Sequence, residues 1–137
     1  MGNIVDSILF QPPPPSRLKE NKIIWLRTAL GNKIPAFHIE CQNLGNRSPI
    51  TILYSHANAE DLGCIYPWCK YLSRQLRVNI FAYDYTGYGL ASDEGRPNEA
   101  QCYADIDAAY DYLRLRMHIP ASQIVLYGRS LGSGPSC

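Results

Sequence analysis

Hydrophobic positions along the chain fall into two rhythms that alternate. Residues 50–54, 78–83 and 123–127 are short apolar runs with little polar interruption, the pattern of strands buried on both faces of a parallel sheet. Residues 23–26 and 34–39 are two further apolar runs around Leu30-Gly31-Asn32. Gly-Asn suits a tight turn, so this pair predicts an antiparallel hairpin. Between the later strands the period lengthens. Leu62, Ile65, Trp68, Cys69, Leu72 and Leu76 form a helical stripe with Pro67 inside it. Proline clashes with the preceding turn but suits a first turn, so the regular helix is expected to begin near Pro67. In the next segment Asn98 can cap, with Gln101 three residues on. Tyr103, Ile106, Tyr110, Leu113 and Met117 form its predicted buried stripe, Arg114 and Arg116 suit its C-terminal dipole, and Pro120 ends it. Helices between buried strands demand a parallel sheet with right-handed crossovers. The predicted class is α/β: a hairpin leading into a βαβαβ sheet.

The last predicted strand runs straight into Gly128-Arg129-Ser130-Leu131-Gly132. A G-x-S-x-G that follows a strand directly is the signature of a nucleophile elbow. The turn lifts the serine out of the sheet in a strained conformation, and side chains two residues either side would collide there. Gly128 and Gly132 meet that need. The pattern alone arises by chance in a chain this long roughly 4% of the time, so the strand in front of it carries the weight. Ser130 is the candidate nucleophile.

Such a serine needs two backbone N–H groups aimed at the oxyanion. One is that of Leu131, the residue after the nucleophile. The other comes from a loop after an earlier strand, here Ser55-His56-Ala57-Asn58-Ala59. Asn58 is the leading donor, with Ala57 as the alternative. His56 is expected to shape the loop through its ring rather than act as a base. Asp84, directly after the strand at 78–83, is expected to accept loop N–H groups rather than serve as a triad acid. Asp105, Asp107 and Asp111 are expected on a solvated helix face, and His38 and His118 on the surface.

Composition narrows the function classes. A chain of 137 residues with a net charge of +1 has no basic block to recommend nucleic acid as a partner. No apolar run approaches the ~18 residues of a membrane span, and the N-terminus lacks a secretory signal. The five cysteines include no C-x-x-C and no His/Cys cluster at zinc spacing, so reduced thiols in the cytoplasm, no metal and no cofactor are expected. Residues 1–20 read as an arm and 21–137 as the domain. Ile4, Val5, Ile8 and Leu9 allow one or two amphipathic turns, and Pro12 to Pro15 then stop any helix. Met1-Gly2 makes Gly2 a candidate myristoylation site, although Asp6 stands where the motif has a hydroxyl residue. Through Lys33 there are five basic residues against two acidic, which would assist peripheral binding to a membrane's cytoplasmic face.

Four blocks now come together: S-H-A-N-A-E-D-L-G at 55–63, N-I-F-A-Y-D-Y-T-G-Y-G at 79–89, Y-A-D-I-D-A-A-Y at 103–110 and I-V-L-Y-G-R-S-L-G at 124–132. Over residues 9 to 137 the chain resembles the α/β-hydrolase-domain-containing protein 17 family of protein depalmitoylases. The resemblance implies the N-terminal half of an α/β-hydrolase fold, with Ser130 acylated by a palmitoyl-cysteine thioester and water then releasing the fatty acid. It implies an oxyanion hole from the 56–58 loop and Leu131, and acylated proteins or lipid esters as substrates. The family has H-G-N where this chain has His56-Ala57-Asn58, and a cysteine-rich N-terminus where no cysteine here precedes Cys41. The triad order Ser, Asp, His puts both later members beyond Cys137. The 137-residue chain therefore reads as the N-terminal portion of such an enzyme, expected to be inactive alone. The competing reading keeps the fold without catalysis, as a membrane or partner adaptor working through the N-terminal arm.

Overall fold

The structure is a computed structural model that describes Phe10 and residues 19–42, 45, 48–58 and 60–129. Its strands are β1 (Ile24–Arg27), β2 (Lys33–Ile39), β3 (Thr51–Ser55), β4 (Asn79–Tyr83) and β5 (Ile124–Gly128), and its helices are α1 (Leu62–Leu76) and α2 (Glu99–Asp111). The spatial order is β1-β2-β4-β3-β5. β1 and β2 form the predicted antiparallel hairpin, with Trp25 opposite Pro35 and Leu26 opposite Ile34. Its turn is longer than a two-residue Gly-Asn connection. Thr28 donates to the Asn32 carbonyl at 2.8 Å and Gly31 to Thr28 at 2.9 Å, with Gly31 at φ 85°, where a side chain would be strained.

β3, β4 and β5 are parallel, and their C-terminal ends are level: Ser55 lies opposite both Tyr83 and Gly128. Alternation along the strands sorts the core into two layers. Ile52, Tyr54, Ile80 and Ala82 pack with Leu62, Ile65 and Cys69 of α1. Leu53, Phe81 and Tyr83 pack on the other face with Cys102, Ile106 and Ala109 of α2. Burying a side chain the size of Leu53 or Phe81 stabilises by ~1.5–3 kcal/mol. Phe10 belongs to this second layer, so among the described residues the arm expected at 1–20 reaches the core through Phe10.

The helices correct the sequence reading in two places. α1 begins at Leu62 rather than at Pro67, because Asp61 caps it by accepting from Cys64 N at 3.0 Å and because Leu62 and Ile65 are buried in its first turn. Those contacts hold the turn that proline at the sixth position weakens. In α2 the Asn98 cap forms, accepting from Gln101 N at 2.9 Å. The reciprocal half of a capping box does not, since the Gln101 side chain instead accepts from Asn32 Nδ2 at 2.6 Å. The buried face is Cys102, Asp105, Ile106 and Ala109, and Tyr103 is 47% exposed. Tyr103 lies a third of a turn from Cys102, so the stripe as read was rotated toward solvent. Past α2 the chain widens into a π turn, Tyr112–Arg116.

The β5 run is apolar on both faces, as read, and Val125, Leu126 and Tyr127 are 44–45% exposed. Among the described residues it pairs with β3 alone and stands at the sheet edge. An apolar run specifies a strand, whereas its burial depends on what packs against it. No helix among the described residues is long and apolar enough to cross a membrane.

Candidate active site

The loops leaving β3 and β4 meet beside Arg129 at the C-terminal ends of the parallel strands, where open α/β sheets bind ligands. Ser55 Oγ and Tyr83 Oη share a buried hydrogen bond of 2.7 Å there. Beyond Ser55 the chain turns into His56, whose ring is fully buried. His56 Nδ1 stands 2.8 Å from its neighbour's carbonyl, Ala57 O. A carbonyl only accepts, so Nδ1 carries a proton. Nε2 lies 2.8 Å from Asp84 Oδ1, and a second proton sits between them. Both ring nitrogens are therefore engaged with the protein, which leaves neither to take a proton from a hydroxyl. The ring works by fixing the loop.

Asp84 is 1% exposed. Burial pushes its carboxyl above the usual carboxylate range, and the hydrogen bond from His56 partly offsets that. Its other oxygen accepts from Leu62 N at 3.4 Å, which puts a second carboxylate beside Asp61 at the N-terminus of α1, where the dipole favours negative charge. Gly89 has φ 49°, and a Cβ there would collide with the Asp84 carboxylate.

The tyrosines of the β4 loop complete the support. Tyr85 Oη donates to His56 O at 2.7 Å, and Tyr88 Oη donates to Asn58 Oδ1 at 2.6 Å. Their rings pack on the His56 ring at 4.3 and 5.5 Å between centroids. The β4 loop is tied in turn to α2: Thr86 donates its N–H and its hydroxyl to Asp105 at 2.7 and 2.8 Å. Asp105 was expected on a solvated face, but it is fully buried. Burial raises its carboxyl to about 6 against the Thr86 bonds. Asp107 and Asp111 are exposed as expected. His38 is not a surface residue: its side chain is 13% exposed, and burial lowers its pKa. It borders a groove of about 440 Å³ with Thr51, Asn79 and Gln123, at the opposite end of the strands from this loop cluster.

Of the residues singled out in the sequence, His56, Ala57, Asn58 and Gly128 come together here. Ser130, Leu131, Gly132 and Gly2 lie outside the described residues. The approach to Ser130 is nevertheless visible, because Arg129 N donates to Ser55 O at 3.1 Å. The Ala57 amide donates to Glu60 Oε1 at 3.0 Å, within the loop. Sequence reasoning passed over Glu60, Tyr85 and Tyr88. It also missed Asp61, although an aspartate immediately before an apolar helical stripe is a cap signal that could have found it. The tyrosines gave none, because their partners lie 29 and 30 residues away.

With the sheet order and these loops in view, the fold is the α/β-hydrolase fold. The chain is similar to an esterase of Pyrococcus furiosus at a TM-score of 0.69 and 16% identity, covering 91% of this chain and 51% of that one. It is similar also to a lidless α/β serine hydrolase of Xanthomonas campestris at 0.65 and 16%, covering 92% and 56%. No protein-family model matches the chain. Among curated relatives, mouse α/β hydrolase domain-containing protein 17C is 40% identical over 115 residues, which is 84% of this chain and 34% of the relative. Human α/β hydrolase domain-containing protein 17B is 41% identical over 110 residues, 80% and 36% respectively. Across the matched residues the chain belongs to the α/β hydrolase domain-containing protein 17 family. It spans about a third of the length of the curated relatives it matches.

Proposed function

We propose that this chain supplies the nucleophile and the oxyanion loop of a serine thioesterase that removes palmitoyl groups from protein cysteines. Ser130 Oγ attacks the thioester carbonyl, the C–S bond breaks, and the cysteine sulfur leaves with a proton. Water then attacks the acyl-serine and releases the fatty acid, restoring the hydroxyl. In both steps the carbonyl oxygen becomes an oxyanion, which the amides of Leu131 and Asn58 stabilise; one such donor is worth ~10²–10³-fold in rate. His56 and Asp84 position the loop and are not the base and acid.

The observation that carries this reading is the bond from Arg129 N to Ser55 O at 3.1 Å. It fixes the residue before Ser130 at the root of the loop that bears Asn58. The sequence G-R-S-L-G after a strand and the family's hydrolase fold support the same chemistry. The test is turnover of a palmitoyl-cysteine thioester peptide by the full-length protein, with Ser130→Ala expected to remove it by several orders of magnitude. Turnover that survives the substitution contradicts the assignment.

Acylation of Gly2 would bring the enzyme to its substrate at a membrane surface. One myristoyl chain binds only marginally, and the basic residues of the arm add to it. Azido-myristate is expected to label the wild type and not Gly2→Ala; a wild type that takes no label contradicts it.

A further inference from the structure

One side chain touches both segments of the site. Glu60 Oε1 accepts the Ala57 amide proton at 3.0 Å, and Glu60 Oε2 lies 3.5 Å from Arg129 Nη1. Glu60 N in turn donates to Ala57 O at 3.2 Å, so the residue closes the loop on itself before reaching across. Arg129 is held on its own side by its amide bond to Ser55 and directly precedes Ser130. One carboxylate therefore links residue 57, next to the loop donor, to residue 129, next to the nucleophile.

We propose that Glu60 and Arg129 are a charge-matched positioning pair that ties the loop bearing Asn58 to the residue that directly precedes Ser130. This rests on the serine-hydrolase reading above. A hole works only if its donors stay fixed relative to the nucleophile, and a bridge from residue 57 to residue 129, which precedes Ser130, serves that end. The carboxylate has a cost. A negative charge beside a developing oxyanion opposes it, and the Arg129 guanidinium offsets that charge. The role of Arg129 is thus to make the Glu60 tether tolerable to the chemistry. The Glu60 side chain is 23% exposed and that of Arg129 55%, so solvent and salt screen the pair in part.

The arrangement separates tether from charge. Arg129→Gln leaves the carboxylate on the Ala57 amide without its counter-charge. Glu60→Gln keeps a carbonyl oxygen for the Ala57 amide and removes the negative charge. The double variant keeps the tether and is neutral. The experiment measures the second-order rate at which a fluorophosphonate labels Ser130 in the full-length protein, for the wild type and all three variants, at low and high salt. Arg129→Gln is expected to slow labelling about two- to fivefold, in keeping with a partly screened pair, and added salt should shrink that defect. Adding Glu60→Gln should restore most of the rate. A double variant as slow as Arg129→Gln, or an Arg129→Gln rate equal to wild type, overturns the charge-matched pair while leaving the hydrolase reading intact. Wild-type protein that takes no label at Ser130 overturns that reading and the pair with it.

Discussion

On one side of the site, residues 56–58 hang from buried polar bonds: His56 to Asp84, Tyr85 to His56 O, Tyr88 to Asn58. On the other side, Gly128 and Arg129 end a strand whose Val125, Leu126 and Tyr127 are 44–45% exposed and whose backbone pairs with β3. The loop owes its shape to side chains that must all be satisfied, because a buried polar group left alone is expensive. The strand owes its place to backbone hydrogen bonds that any residue but proline can make. Mutational cost should therefore be high on the loop side and low on the strand side.

The sharpest break of that contrast is Asp84→Ala. It leaves His56 Nε2 and Leu62 N facing a void, and losing one partner of a buried pair costs ~3–5 kcal/mol. Urea unfolding measures it, and a loss below about 1 kcal/mol would mean that the pair does not hold the loop.

Asp105 gives a contrast in pH. Its folded carboxyl lies at about 6 against an ordinary value of 3.8, so the folded state binds the proton more tightly than the unfolded chain. This group's contribution is therefore favourable at low pH and is lost as pH rises from about 4 to about 6, roughly 3 kcal/mol in all. Asp105→Asn can still accept from Thr86 N and donate to its hydroxyl. The variant should gain on wild type across that window and run parallel to it above. Denaturation midpoints at pH 4 and pH 7 decide it, and an unchanged difference between the two proteins contradicts the buried titration.

The smallest effect is that of Leu126, set against its neighbour Leu53. Leu53 of β3 is fully buried, and Leu126 stands opposite it in β5 at 44% exposure. Leu53→Ala should cost ~2–5 kcal/mol, and Leu126→Ala about 1 kcal/mol or less. Equal costs would show that β5 is covered in solution.

These sites also mark how far the sequence could be read. Each strand was legible because a run such as residues 50–54 or 78–83 carries a single polar residue, Thr51 or Asn79, and no alternation that would set up a wet face. The Asn98 cap was legible because capping is local. Tyr103 was misassigned because α2 buries Asp105 beside Ile106, a polar group whose partner, Thr86, is 19 residues away. β5 was legible as a strand apolar on both faces, but its own residues cannot say what packs on them. At the site, G-R-S-L-G and the 56–58 loop stood out as local patterns. Glu60, Tyr85 and Tyr88 did not, since hydrogen bonds across loops leave no periodicity.

The central claim is that Ser130 is a nucleophile presented beside the 56–60 loop. The most direct measurement is mass spectrometry of the full-length protein after exposure to a fluorophosphonate. The predicted result is a single phosphonyl adduct on Ser130, absent from Ser130→Ala. An adduct at another residue, or one that persists in that variant, would contradict the account.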